Sequence, residues 1–242
     1  LAAGDSFVRD GFTYHLFILN EDKEKAAQLT RNNFNGLAAY EEKDETPFRF
    51  GSFTTMGELY VETGLNELRM SNYRRILSLD SAMVVVQFDK DGVQYQRKYF
   101  ISYPDSVMVM KFTANQSGKQ NLILSYCPNS EAKSNLRADG KDGLVYTGVL
   151  DNNGMKFAFR IKAIHKGGTL EAENDRLIVK GADEVVFLLT ADTDYKMNFN
   201  PDFKDPKTYV GNDPEQTTRI MMDQAVQKGY DELYRNHEAD HT

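Results

Sequence analysis

The last residues of the chain carry the pattern H-E-x-x-H, which is typical of many zinc-dependent peptidases. His237 and His241 are four residues apart, so a helix would place both imidazoles on one face, with Glu238 able to activate a zinc-bound water. A catalytic zinc also needs a third protein ligand, and the other histidines are His15 and His165. The surrounding residues are polar on nearly every side, which favours a solvated helix end instead. We predict no metal and no cofactor, and a zinc peptidase is kept as a remote alternative.

The remaining residues show no self-evident catalytic constellation. Cys127, the single cysteine, ends an apolar run and is predicted to be an inert packing residue. The acidic stretch 192–202 has Met197 where a calcium-binding EF-hand loop requires glycine, so a surface loop is predicted there. The sequence contains no nucleophile elbow, Walker loop or dinucleotide fingerprint. A catalytic carboxylate pair cannot be chosen among 36 acidic residues by sequence alone.

Composition and charge exclude several classes of protein. The chain has 242 residues, 40% of them apolar and 27% charged, as expected for a soluble globular protein of one large or two small domains. A net charge of −7 argues against a nucleic-acid surface, and no run approaches the roughly 18 apolar residues of a membrane helix. The chain begins at Leu1 without a signal peptide, which suggests a processed or trimmed product.

Short runs rich in Val, Ile, Tyr and Phe recur along most of the chain and predict about eleven β-strands. Turn pairs such as Asp91-Gly92 and Gly167-Gly168 separate them, and no strand–helix–strand rhythm is present. The fold class is therefore mainly β, a large antiparallel sandwich. The predicted strands are 58–63, 74–80, 82–88, 93–102, 106–114, 120–127, 144–150, 155–164, 169–173, 176–181 and 184–191.

Two helices and one long loop complete the predicted elements. A short helix near 21–35 has acidic residues in its first turn and ends at Gly36. A C-terminal helix begins with Asp213 as its cap and Pro214 as its first residue. Its apolar stripe consists of Met222, Val226, Tyr230 and Leu233, and His237 continues it. The polar loop 192–212 lies before this helix and is long enough to indicate a function.

Several long stretches resemble the N-terminal domain of glycoside hydrolase family 95, the bacterial α-L-fucosidases and α-L-galactosidases. The stretches match in order and spacing, and the resemblance covers roughly residues 15–242. They are FGSFTTMGELYVETG (50–64), NYRRILSLDSAMVVVQFDKDGVQYQRKYFISYPDSVMVMKFTA (72–114), GADEVVFLLTADTDYK (181–196) and KGYDELYRNHEADH (228–241).

The resemblance implies the rest of the architecture. Residues 1–212 would form a β-super-sandwich, with a helix near 21–35, and residues 213–242 a linker helix toward an absent (α/α)6 catalytic barrel. The family inverts stereochemistry with a glutamic acid and an aspartate that belong to that barrel, so no catalytic residue is expected in this chain. Its partners would be its own barrel and a fucosylated or galactosylated glycan, in the periplasm or outside the cell.

Two functions compete under this resemblance. The first is a non-catalytic domain of a 1,2-α-L-fucosidase-like hydrolase, which braces the barrel and lends a loop to the substrate site. The loop 192–212 supplies the substrate-binding candidates Tyr195, Asn198, Asp202 and Tyr209. The second is a free-standing carbohydrate-binding module that uses tyrosine rings as its sugar platform, since the chain contains no tryptophan.

Overall fold

The computed structural model of the chain describes residues 24–25, 55–65, 69–128, 132–150, 154–173, 175–202, 205 and 207–241. The chain divides into two compact units, Leu1–Thr54 with Asp202–Pro206 and Thr55–Pro201 with Lys207–Thr242. In the first unit Glu24 and Lys25 are helical, and the rest of the helix predicted near 21–35 lies outside the described residues. The sheets and the long helix belong to the second unit.

Twelve strands in the described residues form two antiparallel sheets, which confirms the predicted β-sandwich. The small sheet has the strand order β1-β6-β11-β10, and the large sheet has the order β2-β3-β4-β5-β12-β9-β8-β7. The strands are β1 (Gly57–Glu62), β2 (Ser71–Ser78), β3 (Met83–Lys90), β4 (Val93–Ser102), β5 (Val107–Ala114), β6 (Gln120–Pro128), β7 (Ala132–Ala138), β8 (Gly143–Leu150), β9 (Lys156–Lys166), β10 (Thr169–Ala172), β11 (Arg176–Ala182) and β12 (Glu184–Thr193).

β12, the last of the twelve strands described, lies in the middle of the large sheet. It pairs with β5 on one side and with β9 on the other. Every residue from Val185 to Thr190 is buried, because both faces of this strand are covered. Phe187 and its alternate neighbours face the small sheet, whereas Val186 and Leu188 face the opposite layer. The continuous apolar run VVFLL therefore reflects a strand without a solvent face.

The main core lies between the two sheets. Leu122 and Leu124 of β6 and Leu177 and Val179 of β11 pack against the inner face of the large sheet. At about 1.5–3 kcal/mol for each fully buried large apolar side chain, this layer is a major source of stability. The buried residues of this core are Met110, Phe112, Leu122, Leu124, Leu144, Ile161, Ala163, Leu177, Val179, Ala182, Val185, Phe187 and Leu189.

The β3–β4 hairpin confirms the turn predicted from Asp91-Gly92. Both residues have positive φ, 50° and 75°, as a tight two-residue turn between twisted strands requires. The turn places Phe88 directly across from Tyr95, and their rings stack at 5.2 Å between centroids. A cross-strand aromatic pair of this kind stabilises the hairpin next to its turn.

A single long helix, α1 (Pro214–His241), covers the outer face of the large sheet. Glu215 in its first turn pairs with Arg137 on β7 at 2.6 Å, and His241 in its last turn reaches the β2–β3 turn. The helix therefore crosses the large sheet from one edge to the other.

The buried side of α1 follows the predicted stripe. Met222 and Leu233 are buried, and Val226 and Tyr230 pack partly buried against the same cluster. Helical geometry breaks at Gly229, whose φ of 71° and ψ of 172° divide α1 into two segments. That conformation is essentially restricted to glycine, so this residue fixes the position of the kink. Against the helix the sheet contributes Phe100, Val107, Val109, Val186 and Leu188.

Strand β7 is the element that the sequence did not predict. Its sequence AKSNLRA is mostly polar, and its residues are exposed or half-buried. Because β7 is an edge strand that pairs only with β8 in the described residues, little apolar patterning is required of it. Edge position therefore explains why hydrophobic periodicity gave no signal here.

Candidate functional site

The loop after β12 is the candidate site, and backbone hydrogen bonds hold its two ends together. Tyr195 forms an antiparallel bridge with Val210. Lys196 N donates to Tyr209 O at 2.7 Å, and Gly211 N donates to Asp194 O at 2.5 Å. Residues 194–196 and 209–211 are therefore paired in an antiparallel arrangement.

The base of this loop is anchored by the buried side chain of Asp194. Its Oδ1 accepts from Lys156 N at 2.9 Å, and its own N donates to Lys156 O at 3.0 Å. At the far side Asp213 caps α1, because its Oδ1 accepts from Glu215 N at 3.2 Å. These contacts confirm the predicted helix start and fix the loop on rigid elements.

Three of the four predicted substrate-binding residues lie together on this loop. The rings of Tyr195 and Tyr209 stack at 5.9 Å between centroids, with planes 21° apart. Asn198 Nδ2 donates to Thr208 O and Thr208 Oγ1, both at 3.1 Å. Asp202 is exposed and belongs to the other compact unit. Tyr195, Asn198 and Tyr209 thus form one local group, and their role in substrate binding stays a prediction.

Phe199 is a candidate residue that the sequence analysis missed. Its side chain is 94% exposed, and the neighbouring Met197 is 56% exposed. The turn is supported by Asn198, whose Oδ1 accepts from Asn200 N at 3.0 Å. An aromatic residue between two asparagines in a polar loop is the signal that could have identified it. Large exposed rings at a loop tip are suited to contact another molecule or domain.

The H-E-x-x-H motif anchors the helix to the sheet. His237 Nε2 lies 3.0 Å from Ser81 O and 3.2 Å from Ala82 O, and His241 Nε2 lies 2.5 Å from Leu79 O. Carbonyl oxygens only accept, so each Nε2 carries a proton. The Nε2 atoms of both histidines are therefore directed at the β2–β3 turn.

The expected solvated helix end is wrong for His237. Its side chain is buried, and its ring stacks on Phe100 at 4.9 Å between centroids. The physical reason is that His237 continues the apolar stripe of α1 and faces the sheet, while its polar edge meets backbone carbonyls. Glu238, the residue between the histidines that would activate water, is exposed and accepts from Tyr234 Oη at 3.3 Å.

A second polar network fixes α1 to the β4–β5 turn. The side chain of Asp105 is 2% exposed and accepts from Lys228 Nζ at 2.6 Å, Asn236 Nδ2 at 3.1 Å and Ser102 Oγ at 2.6 Å. Burial alone would raise the pKa of Asp105. The hydrogen bonds from Lys228, Ser102 and Asn236 outweigh burial, so the net pKa is lowered.

Glu184 forms a similar ion-pair group at the start of β12. Its two oxygens accept from Lys111 Nζ at 2.8 Å and Lys166 Nζ at 2.9 Å. Burial raises the pKa of Glu184, but the two lysines outweigh this and lower it overall. A general acid needs a pKa raised toward neutrality, so neither Glu184 nor Asp105 is suited to that role.

Other candidate chemistries find no support in the described part of the chain. Residues 24–25 and 55–241, apart from the gaps given above, contain no group of three or more His, Cys, Asp or Glu side chains placed to hold a metal ion. No helix in this part is long and apolar enough to cross a membrane. Cys127 is exposed at the end of β6, so its expected packing role is wrong.

Two antiparallel sheets packed face to face, with α1 across the outer face of the larger one, define a mainly β domain of the sandwich class. The chain belongs to the glycosyl hydrolase family 65 N-terminal domain family, whose sequence profile matches residues 15–198.

Two curated relatives are fucosidases. "Probable alpha-fucosidase A" of Aspergillus niger is 27% identical over 208 residues, which are 81% of this chain and 25% of the relative. "Alpha-L-fucosidase 2" of Arabidopsis thaliana is 25% identical over 215 residues, which are 78% of this chain and 25% of the relative. The chain thus spans about a quarter of the length of these relatives.

A solved structure shares the fold. "Putative kojibiose phosphorylase from human microbiome" aligns with a TM-score of 0.52 over 76% of this chain and 27% of that protein, at 10% identity. These findings establish a glycoside-hydrolase-related N-terminal domain with fucosidase-like relatives. The profile that matches is described as family 65, whereas the resemblance in the sequence analysis is to family 95.

Proposed function

We propose that this chain is the non-catalytic N-terminal domain of an inverting exo-glycoside hydrolase that resembles the 1,2-α-L-fucosidases of family 95. In this proposal it braces a catalytic (α/α)6 barrel and contributes the loop 192–212 to the rim of the substrate site. The observation that carries it is the match to a hydrolase N-terminal domain across residues 15–198, in a chain that spans a quarter of its fucosidase relatives.

The chemistry of the described carboxylates supports a non-catalytic role. Asp105 and Glu184 are held as ionised partners of lysines, and Asp194 is bonded to the backbone of Lys156. Asp139 pairs with the buried guanidinium of Arg160. Each of these four carboxylates has a structural partner, as expected for residues that hold a domain together rather than break a glycosidic bond.

The first test compares activities on α-L-fucosides and α-L-galactosides. The natural polypeptide that contains this sequence should release the sugar with inversion, whereas residues 1–242 alone should release none. Release of fucose by residues 1–242 alone would show that the bond-breaking groups lie in this chain, and the proposal would be wrong.

The second test concerns the loop. Replacing Tyr195 and Tyr209 by alanine in the active polypeptide should raise KM, because the stacked pair lies at the proposed rim. Tyr60→Ala with Tyr73→Ala is the matched control, since these tyrosines are 50% and 55% exposed and lie on β1 and β2, outside the loop. If KM is the same in both variants, the loop does not contact the substrate, and only the bracing role of the domain is retained in the proposal.

A free-standing carbohydrate-binding module is the second candidate function. Exposed aromatic rings favour it, in particular Phe199 and the stacked pair Tyr195 and Tyr209. Calorimetric titration of residues 1–242 with fucosylated oligosaccharides separates the two functions. Binding at millimolar or lower concentration supports the module, and absence of binding supports the bracing domain.

The cellular location is part of the same proposal. The resemblance to family 95 implies the periplasm or the exterior of the cell. Fractionation of cells that express the natural gene, with detection of this domain by antibody, tests it. Recovery in the cytoplasmic fraction alone would contradict the proposed location.

A further inference from the structure

A small pocket lies between the two sheets, away from the candidate loop. It is lined by Arg97 of β4, Phe112 of β5 and Gln120, the first residue of β6, and the loop 192–212 contributes none of the described residues that line it. Its volume is about 10 Å³, which is the space of one water-sized group. The pocket therefore admits one oxygen atom of a ligand and not a whole sugar ring.

Gln120 brings a buried hydrogen-bond donor to this pocket. The residue is 3% exposed, and its Nε2 has no hydrogen-bond partner in the described part of the chain. Gln120 alternates with Leu122 and Leu124 along β6, so its side chain points between the sheets as theirs do. Burying a donor without an acceptor costs free energy, and native proteins contain few such groups. An acceptor atom of a bound molecule would satisfy this amide.

Arg97 brings a positive charge to the same pocket. Its guanidinium carbon lies 5.0 Å from the ring centroid of Phe88 and 5.8 Å from that of Phe112, so cation–π contacts hold the group in place. Among the ion pairs of the described residues, none includes Arg97. The planar guanidinium matches the geometry of a carboxylate, which it binds through two N–H groups. Arg97 is therefore available for an anion that a ligand supplies.

A second arginine lies in the same row across the large sheet. Arg75 of β2 pairs with Val86 of β3, and Val86 pairs with Arg97 of β4, so both arginines project from one face, about 10 Å apart. Burial raises the pKa of Tyr99, and the positive charges of Arg97 and Arg75 oppose that rise, which shows that both lie near this ring. Arg75 is exposed and also takes part in none of the ion pairs of the described residues. In a chain with a net charge of −7, this row attracts anions locally.

We propose that this pocket binds the carboxylate group of a small organic anion. One carboxylate oxygen accepts from Gln120 Nε2 inside the pocket, the other accepts from the guanidinium of Arg97, and Arg75 attracts the ligand. A carboxylate has acceptor atoms and no donor, which complements these donors. None of the described residues that line the pocket is acidic, and the exposed Lys119 adds a further cation there. Uronic acid sugars and simple organic acids share this chemistry.

Calorimetric titration of residues 1–242 with D-glucuronate, and with D-glucose as the neutral counterpart, tests the site. Glucuronate should bind saturably at millimolar concentration, and glucose should not bind. Arg97→Met and Gln120→Met should each weaken glucuronate binding by roughly tenfold or more, because each removes a donor to the carboxylate and keeps an apolar side chain of similar length. Arg74→Met is the matched control, since Arg74 is exposed beside Arg75 but projects from the opposite face of β2. Absence of saturable binding, equal binding of glucose, or an equal loss in Arg74→Met would overturn the proposal.

Nuclear magnetic resonance of the unmodified chain gives a measurement that does not depend on the folding of any variant. Glucuronate should shift the side-chain NH₂ resonances of Gln120, because Nε2 gains an acceptor. The side-chain resonances of Gln216, which is exposed on α1, should stay unchanged and serve as the internal control. Unchanged resonances of Gln120 in the presence of saturating glucuronate would contradict the proposed site.

Titration with acetate separates the two sources of the carboxylate. Acetate that binds as tightly as glucuronate assigns the site to simple organic acids, whereas clearly tighter binding of glucuronate assigns it to uronic acid sugars. Sulfate that binds as tightly as either would indicate an unselective anion site, and the inference would be wrong. None of these measurements depends on sugar release, so the pocket and the proposed function are tested separately.

Discussion

At the scale of single residues, polar side chains fix α1 to the turns of the large sheet. The Asp105 side chain is 2% exposed and His237 is buried, and both connect the helix to a turn of the sheet. Burying such polar groups without hydrogen-bond partners is costly. The position of α1 on the sheet is therefore fixed by the need to keep these hydrogen bonds. The same contacts explain why a metal-like histidine pair can have a purely structural role.

Replacing Asp105 by asparagine should lower the free energy of unfolding by about 2 kcal/mol, because a charged hydrogen-bond network is weakened in a buried site. Lys228 is 35% exposed, so solvent screening reduces its share of this value. Urea denaturation measures the change. Asp80→Asn, at an exposed carboxylate in the β2–β3 turn, is the control and should be neutral; equal effects of both variants would contradict the prediction.

The lowered pKa of Asp105 gives its contribution a defined pH dependence. Ionised Asp105 stabilises the folded chain, so the contribution is complete above the ordinary carboxyl pKa of 3.8 and is lost as pH falls through the lower folded value. The stability difference between wild type and Asp105→Asn should be constant from about pH 7 to pH 5 and shrink in more acidic solution. A difference that grows toward low pH would show that the folded pKa is raised.

His237→Phe separates ring packing from hydrogen bonding at the H-E-x-x-H motif. Phenylalanine can keep the stack on Phe100 but cannot donate to the carbonyls of Ser81 and Ala82, so a loss of about 1 kcal/mol is expected. Dialysis of the wild type against EDTA should leave its thermal midpoint unchanged. A lower thermal midpoint after EDTA treatment that zinc restores would show that the histidines bind a metal ion.

At the scale of elements, the sequence predicted those turns and strands whose conformation depends on neighbouring residues in the chain. Asp91-Gly92 predicted its hairpin because the required positive φ is a property of the turn itself. Strand β7 was missed because an edge strand needs little apolar patterning. Burial of His237 and the exposure of Phe199 depend on tertiary contacts, which no local pattern encodes. The candidate loop could be located from its length, but not the pairing of Tyr195 with Tyr209.

The kink of α1 at Gly229 requires a backbone conformation that residues other than glycine rarely adopt. Gly229→Ala should destabilise the chain by about 1–3 kcal/mol, since φ of 71° with ψ of 172° is strained for any residue with a Cβ atom. A Cβ atom there would meet no heavy atom within 4 Å, so the loss comes from backbone strain and not from a clash. Gln227→Ala, at an exposed position of the same helix, is the control in chemical denaturation. A neutral Gly229→Ala would mean that the helix can straighten without losing its contacts.

At the scale of the whole molecule, the large sheet depends on both of its covering layers. The small sheet covers its inner face and α1 its outer face, and the two cores share β12. Without α1, the apolar side chains of Phe100, Val107, Val109, Val186 and Leu188 would face water. At about 1.5–3 kcal/mol each, their exposure costs on the order of 10 kcal/mol, as much as the whole stability of a typical domain.

A chain that ends at residue 212 should therefore lack a cooperative unfolding transition and bind dyes for exposed apolar surface. Near-ultraviolet circular dichroism and thermal melts of both lengths check this. Adding a separate peptide of residues 213–242 should restore the transition, because α1 is the missing layer and its contacts are non-covalent. A cooperative thermal transition of the shortened chain alone would show that the two sheets fold stably without α1.

The central place of β12 has a consequence for biosynthesis. The four strands β2 to β5 and the three strands β7 to β9 are consecutive in the chain, but only β12 joins them into one sheet. Until the ribosome has released Glu184–Thr193, the nascent polypeptide holds two partial meanders whose inner edges, β5 and β9, have unpaired backbone groups. The large sheet is therefore complete only after β12 has been translated, and until then the edges of β5 and β9 are exposed to non-native pairing, which chaperones would have to prevent.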